Sequence, residues 1–378
     1  MPLSTNLSLA AAARAAMLRT MLGASRLPIA SCDVGADSDP VPLAARGALP
    51  TPGWLSDAQG RGLRYLRLSV TDRCDLRCTY CMPAEGEPAS PREEVLSIEE
   101  AIRVVRVFHR LGVRTVRLTG GEPLVRRGLD TLIRAIRHEI GIDDIALTTN
   151  GTALGALAAR LADAGLARIN VSLDSLRPAT FAAITRGGEL ARVLEGIDAA
   201  RAAGLRVKTN TVVIRGENDD EAEALVRWAW TKDLVPRFIE LMPLGAAAAL
   251  GAARVVPSAE LRARLAHLID EASEPRTDRG PAVYASARDG SGRRVGFIGA
   301  VSENFCARCN RVRVTAKGDI RACLASPRGL SLRDLMRAGA SDDALEDTIR
   351  EALFGKGLGH EFAGGDQHRH VAMSRVGG

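Results

Sequence analysis

From position 64 onward, short runs rich in β-branched residues alternate with stretches whose apolar residues recur every three or four positions. The runs at 65–70, 115–118, 145–149, 168–173, 206–214 and 237–241 predict six strands. The stretches at 97–111, 128–140, 154–164, 190–203 and 219–232 predict helices between them. The first helix is well signalled, with Ser97 as N-cap, Glu100 as its capping-box partner and Gly112 as the stop. Strands alternating with helices imply an α/β fold with a parallel sheet and helices outside it. Function then belongs on the loops that follow the strand carboxyl ends.

Beyond Leu244 the alternation ends. A helix near 258–270 precedes short strands at 282–285, 294–297 and 311–315, and a turn at 316–319 reverses the chain. A last helix near 341–353 leads to a glycine-rich tail ending in Gly377 and Gly378. Residues 1–60 carry no sustained period and read as a poorly ordered extension, followed by a core over 61–244 and a C-terminal segment over 245–378.

Composition excludes several classes. With 46% apolar and 25% charged residues, the chain reads as an ordinary globular protein. No apolar run approaches the ~20 residues needed to cross a bilayer, so no membrane association is expected. A net charge of +6, dispersed among 51 basic and 45 acidic residues, is not the basic stripe of a nucleic-acid binder. It suits an anionic small molecule. Seven cysteines in tight groups, with no secretory signal, point to metal in a reducing compartment, hence the cytoplasm. The Arg-bearing, acid-free start is also the composition of a transit peptide, which would place the chain in the mitochondrial matrix instead.

Six of those cysteines form two trios: Cys74, Cys78 and Cys81, directly after the first strand, and Cys306, Cys309 and Cys323 near the end. Three thiolates satisfy three corners of an iron–sulfur cube and leave one corner for another ligand. The competing readings are a zinc knuckle for the first trio and a zinc clip for the second, each needing a fourth ligand. Six histidines are present and none adjoins the first trio. Cys32 is left over.

After the second strand comes Gly120-Gly121-Glu122-Pro123, a turn that lets backbone approach a ligand, presents N–H groups and offers Glu122 to an ammonium. Arg311 and Arg313 alternate along a strand beside the second trio and so share a face suited to phosphate.

CxxxCxxC after a first strand, with Tyr80 before the last Cys and GGEP after the second strand, resembles the radical S-adenosylmethionine superfamily. The FCxxCNRxR segment, the third Cys323 and the terminal Gly-Gly further resemble its GTP 3′,8-cyclase family, over roughly residue 60 to the end. That resemblance implies an incomplete (β/α)6 barrel, similar to a TIM barrel, whose C-terminal α+β extension closes the open mouth and carries a second cluster. It implies two [4Fe-4S] clusters on the two trios and S-adenosylmethionine against Tyr80, Gly121, Ser172 and Met242. GTP would meet Arg67, Arg117, Thr148, Lys208, Arg311, Val312 and Arg313. The implied reaction is conversion of GTP to 3′,8-cyclo-7,8-dihydro-GTP, the first step of molybdenum-cofactor biosynthesis. The radical would come from cluster and S-adenosylmethionine, with no catalytic side chain. An external electron donor, a next-step cyclic pyranopterin monophosphate synthase and a homodimer complete the implied partners. A peptide-modifying radical enzyme would carry more C-terminal cysteines, and a non-catalytic zinc- or nucleic-acid-binding protein would be colourless. Val125 and Asp75 depart from the family pattern.

Overall fold

A computed structural model describes residues 54–274, 280–325, 329–359 and 373–377. The expectations for residues 1–53, Cys32, His360, His368, His370 and Gly378 lie outside these. Six strands form the centre: β1 (Tyr65–Ser69), β2 (Thr115–Thr119), β3 (Asp144–Thr149), β4 (Arg168–Ser172), β5 (Arg206–Val213) and β6 (Val235–Glu240). They pair in chain order and in parallel. Crossovers run through α1 (Ile98–Arg110), α2 (Leu129–Arg134), α3 (Leu154–Asp163), α4 (Pro178–Thr185), α5 (Leu190–Ala202) and α6 (Ala222–Thr231). The capping box of α1 is present: Glu100 N donates to Ser97 Oγ at 3.1 Å and Ser97 N to Glu100 Oε2 at 2.8 Å.

The C-terminal segment widens this sheet at both edges. After α7 (Ser258–Arg264) come β7 (Ile269–Glu274), β8 (Val283–Ala287) and β9 (Arg294–Ile298), then β10 (Arg311–Val314) and β11 (Ile320–Arg321). The strand order is β11-β10-β1-β2-β3-β4-β5-β6-β9-β8-β7. Strands β9 and β10 lie parallel to β6 and β1, so the eleven-stranded sheet stays open. Three helices follow: α8 (Leu332–Arg337), α9 (Asp342–Phe354) and α10 (Met373–Val376). The helix expected over 258–270 stops at Arg264, because from Ile269 the chain pairs antiparallel with β8. Helix α4 was not foreseen: PATFAAIT is too short and too evenly apolar to show a period.

Side chains alternate across a strand, and here the two faces differ in kind. Leu66, Val116, Ile145, Ile169, Val207 and Val312 point into one apolar layer with Val104, Phe108, Leu132 and Ile197 of the helices. The opposite face carries rows that the register fixes: Arg313, Arg67 and Arg117; Thr148, Asn170 and Lys208; Asn210, Arg237 and Gly296. A packed barrel fills that face with Val, Ile and Leu. This one lines it with cations and amides, the makings of a polar ligand chamber.

Candidate active site

The first trio lies on the loop leaving β1. Main-chain bonds fasten that loop to the end of β2: Val70 N to Thr119 O at 2.9 Å, Gly121 N to Thr71 O at 2.9 Å and Glu122 N to Arg73 O at 2.8 Å. A Cβ at Gly121 would stand 2.4 Å from Arg73 O, so only glycine admits this approach. The turn therefore spends the N–H groups of Gly121 and Glu122 on the cysteine loop, where the sequence suggested donors left for a ligand. On its other side the loop leans on α4, with Thr79 N donating to Ile184 O at 2.9 Å.

Burial pushes the Cys74 thiol up to about 11, with Glu122 and Asp75 adding, and pushes the Cys81 thiol to about 12 and raises Cys78, with Asp174 and the neighbouring thiols adding for these two. Adjacent buried thiols held protonated need a metal's charge to become thiolate ligands. Among the described residues, no three His, Cys, Asp or Glu side chains converge on a point as single-ion ligands do. Soft thiols in threes fit an iron–sulfur group.

Glu122 is buried and fixed: Oε1 accepts from Leu124 N at 2.9 Å and Thr149 Oγ1 at 2.7 Å, and Oε2 accepts from Asn150 N at 2.6 Å. Burial outweighs these bonds and raises its carboxyl to about 7. Tyr80 donates its hydroxyl to Asp174 Oδ2 at 2.8 Å, and its ring packs on Ile214, Leu241 and Ala247. Ser172 ends β4, and Met242 packs with Leu244, Leu324 and Val376. Tyr80, Gly121, Ser172 and Met242 thus all stand at strand carboxyl ends or on the loops just beyond.

The second trio is assembled by a hairpin. Cys306 opens a short 3-10 turn, Cys309 follows it, and β10 and β11 run antiparallel so that Cys323 returns toward Cys309. Burial opposes ionisation of Cys309, but Arg311 and Lys356 outweigh it and bring the thiol down to about 7.

The chamber's cations are held by neutral partners. Arg117 donates from Nε to the Tyr65 hydroxyl and from Nη1 to Thr148 Oγ1 at 3.1 Å. Lys208 Nζ donates to the Tyr284 hydroxyl at 3.1 Å. Arg67 Nη2 and Arg313 Nη1 donate to Gly377 O at 3.0 and 2.6 Å, so the tail enters the chamber. Arg237 is buried with Nε and Nη2 unbonded; burial brings its guanidinium down to about 10, with Arg117 adding and Tyr284 opposing. No carboxylate among the described residues pairs with Arg117, Lys208, Arg237 or Arg313. Gathered buried cations without counter-charge call for a polyanion.

Residues 68–229 match the Radical SAM superfamily and residues 235–362 match Molybdenum Cofactor Synthesis C. The GTP 3′,8-cyclase of Pelotomaculum thermopropionicum is 47% identical over 329 residues, covering 86% of this chain and 100% of the relative. Those of Rhodopseudomonas palustris and Pseudomonas putida are each 45% identical, over 85% and 86% of this chain and 94% and 98% of theirs. The chain belongs to the GTP 3′,8-cyclase family.

Streptococcus suis SuiB bound to its precursor peptide SuiA shares the fold at a TM-score of 0.54 and 15% identity, covering 84% of this chain and 77% of that one. Native anSMEcpe with bound AdoMet does so at 0.51 and 16%, covering 79% of this chain and 82% of that one. As a member of the cyclase family, the chain is a lyase-type radical S-adenosylmethionine enzyme with a [4Fe-4S] cluster. Among its described residues, no helix is long and apolar enough to cross a membrane.

The fold brings the sequence-nominated Arg67, Arg117, Thr148, Lys208 and Arg313 onto one face, with Arg311 two positions before Arg313. Val312 is the exception: its side chain is fully buried in the apolar layer, because it lies between two inward-facing arginines on β10. Only its main chain can reach the chamber. Arg237, Tyr65 and Tyr284 were not nominated, since a lone arginine or tyrosine on a strand carries no signature.

Proposed function

We propose that this chain converts GTP to 3′,8-cyclo-7,8-dihydro-GTP, and that each cysteine trio holds a [4Fe-4S] cluster with one corner free. Cys74, Cys78 and Cys81 would hold the first, which with S-adenosylmethionine supplies the 5′-deoxyadenosyl radical. Glu122 is fixed to receive the methionine ammonium, Tyr80 and Met242 to flank the adenosine, Gly121 and Ser172 to border the amino-acid end. Cys306, Cys309 and Cys323 would hold the second cluster, its free corner facing guanine.

The observation that carries the reading is the row of buried and half-buried cations on one face, of which Arg117, Lys208, Arg237 and Arg313 pair with no carboxylate among the described residues. A triphosphate brings about four negative charges, and Arg67, Arg117, Lys208, Arg311 and Arg313 meet them, with Arg237 added here. Thr148 fixes Arg117 by its hydroxyl, and the main chain at Val312 completes the cradle. The enclosing sheet keeps water from the reacting ribose, whose C3′ loses hydrogen and bonds to C8 of the base. The electron comes from an external donor, and a cyclic pyranopterin monophosphate synthase would consume the product.

The test is anaerobic purification followed by incubation of reduced protein with S-adenosylmethionine and GTP. About eight irons per chain and 5′-deoxyadenosine formation that depends on GTP are expected. Colourless protein with stoichiometric zinc, or cleavage indifferent to GTP, refutes the proposal.

A further inference from the structure

Lys356 lies two residues beyond α9 and is buried at 3% exposure. Its ammonium donates to Arg311 O at 2.5 Å and Ala322 O at 2.6 Å, and no carboxylate among the described residues pairs with it. Those two carbonyls are not arbitrary. One is two residues after Cys309, the other is the residue before Cys323. The third cysteine segment is gripped by Arg61, whose Nη1 donates to Cys306 O at 2.8 Å. Arg61 is itself anchored through Nε to Asp57 Oδ2 at 2.6 Å, and its Nη2 reaches Lys356 O at 3.2 Å and Gly357 O at 2.7 Å. Two linked cations thus tie together the main chain at all three cysteines.

A buried ammonium is costly unless negative charge opposes it. Two carbonyl dipoles satisfy its donors without neutralising it. The groups near Lys356 able to bear negative charge are the Cys309 and Cys323 side chains, the ligands of the second trio, while the Arg311 and Arg61 guanidiniums oppose its charge. Both hydrogen bonds of the Lys356 ammonium go to the main chain of the trio's own segments.

We infer that Lys356, steadied by Arg61, is the positioning residue of the second cysteine trio and the fixed positive charge that favours a loaded, reduced cluster there. This rests on the second-cluster reading above. Lys356 sets the separation of the Cys309 and Cys323 segments, Arg61 sets that of Cys306, and the shared Lys356 carbonyl couples the two grips.

The test isolates the second site by replacing Cys74, Cys78 and Cys81 with Ala and reconstituting the full chain anaerobically with iron and sulfide. This parent should bind about four irons. Adding Lys356→Met should lower second-site iron at least about twofold and shift the remaining cluster to a more negative midpoint potential in an EPR-monitored titration. Lys356→Arg, which keeps the charge, should restore the potential. Asp57→Asn, remote from the thiols, should weaken iron retention in the same direction, and far-UV circular dichroism of the apoproteins checks that each variant folds. Unchanged iron and potential in Lys356→Met overturn the inference while leaving the second cluster intact. A parent that binds no iron overturns the two-cluster reading, and the inference with it.

Discussion

Replacing Gly377 by Ala should expel the tail from the chamber. Gly377 has φ +69° and its missing side chain faces Ser69 Oγ at 2.5 Å and Thr119 Cγ2 at 2.6 Å. An L-residue in the left-handed region costs about 1–2 kcal/mol, and contacts that close force β1, β2 or the tail to move. What holds the tail is a carbonyl bonded to two guanidiniums, at about 1.5–3 kcal/mol for each charge-assisted bond, with Val376 against Leu244 and Leu324. Strain and overlap together work against that hold, so the tail should leave its seat in a measurable fraction of molecules. Arg67 and Arg313 then lose the Gly377 carbonyl as an acceptor, and misplacement costing ~1.4–2.8 kcal/mol in all should lower kcat/KM for GTP about tenfold to a hundredfold. Hydrogen exchange at residues 373–377 and GTP-dependent product formation are the assays, with iron content as control. Alanine protein with native protection of the tail and native kcat/KM refutes the docking argument.

Three further outcomes follow from the site. Cys323→Ala should abolish cyclic product yet leave slow S-adenosylmethionine cleavage, since the first trio is intact; equal loss of both in the 5′-deoxyadenosine assay rejects the division of roles. Arg237→Met should raise the apoprotein's melting temperature by removing a buried unpaired charge, while weakening GTP about tenfold to a hundredfold in equilibrium binding; unchanged affinity rejects its place among the phosphate cations. Glu122 has a folded carboxyl near 7 against an ordinary 4.5, so between those values the folded form binds more protons and stability falls as pH rises. An incoming ammonium wants the ionised form, so S-adenosylmethionine affinity should climb about fivefold between pH 6 and 7, and Glu122→Gln should flatten that climb in a binding titration.

The central strands were legible because β-branched runs bounded by turn residues have few other uses; β1 to β6 start or stop within two residues of the expected limits. The cysteine trios and GGEP were legible because their spacing is nearly unique to one chemistry. What stayed hidden depended on distant partners. Nothing local says that 269–274 must pair with β8, or that the C-terminal strands flank the core on both sides when the sequence suggested a lid over its mouth. Likewise, Arg237 is one arginine among many until β6 is placed opposite β1 and β2. The glycine turn misled in detail because the carbonyls that consume its N–H groups sit about fifty residues upstream.

The flanking of β1 by β10 and of β6 by β9 has a consequence for biogenesis. While the ribosome is still making residues before 294, both borders of the six-strand core expose unpaired main-chain groups, a standing invitation to pair with a neighbouring chain. The nascent protein therefore reaches its finished sheet only once β9, β10 and β11 have been synthesised, and the second trio is complete only once Cys323 has been made. Cells making this protein quickly would need either slow translation of the last quarter or a chaperone shielding those two borders.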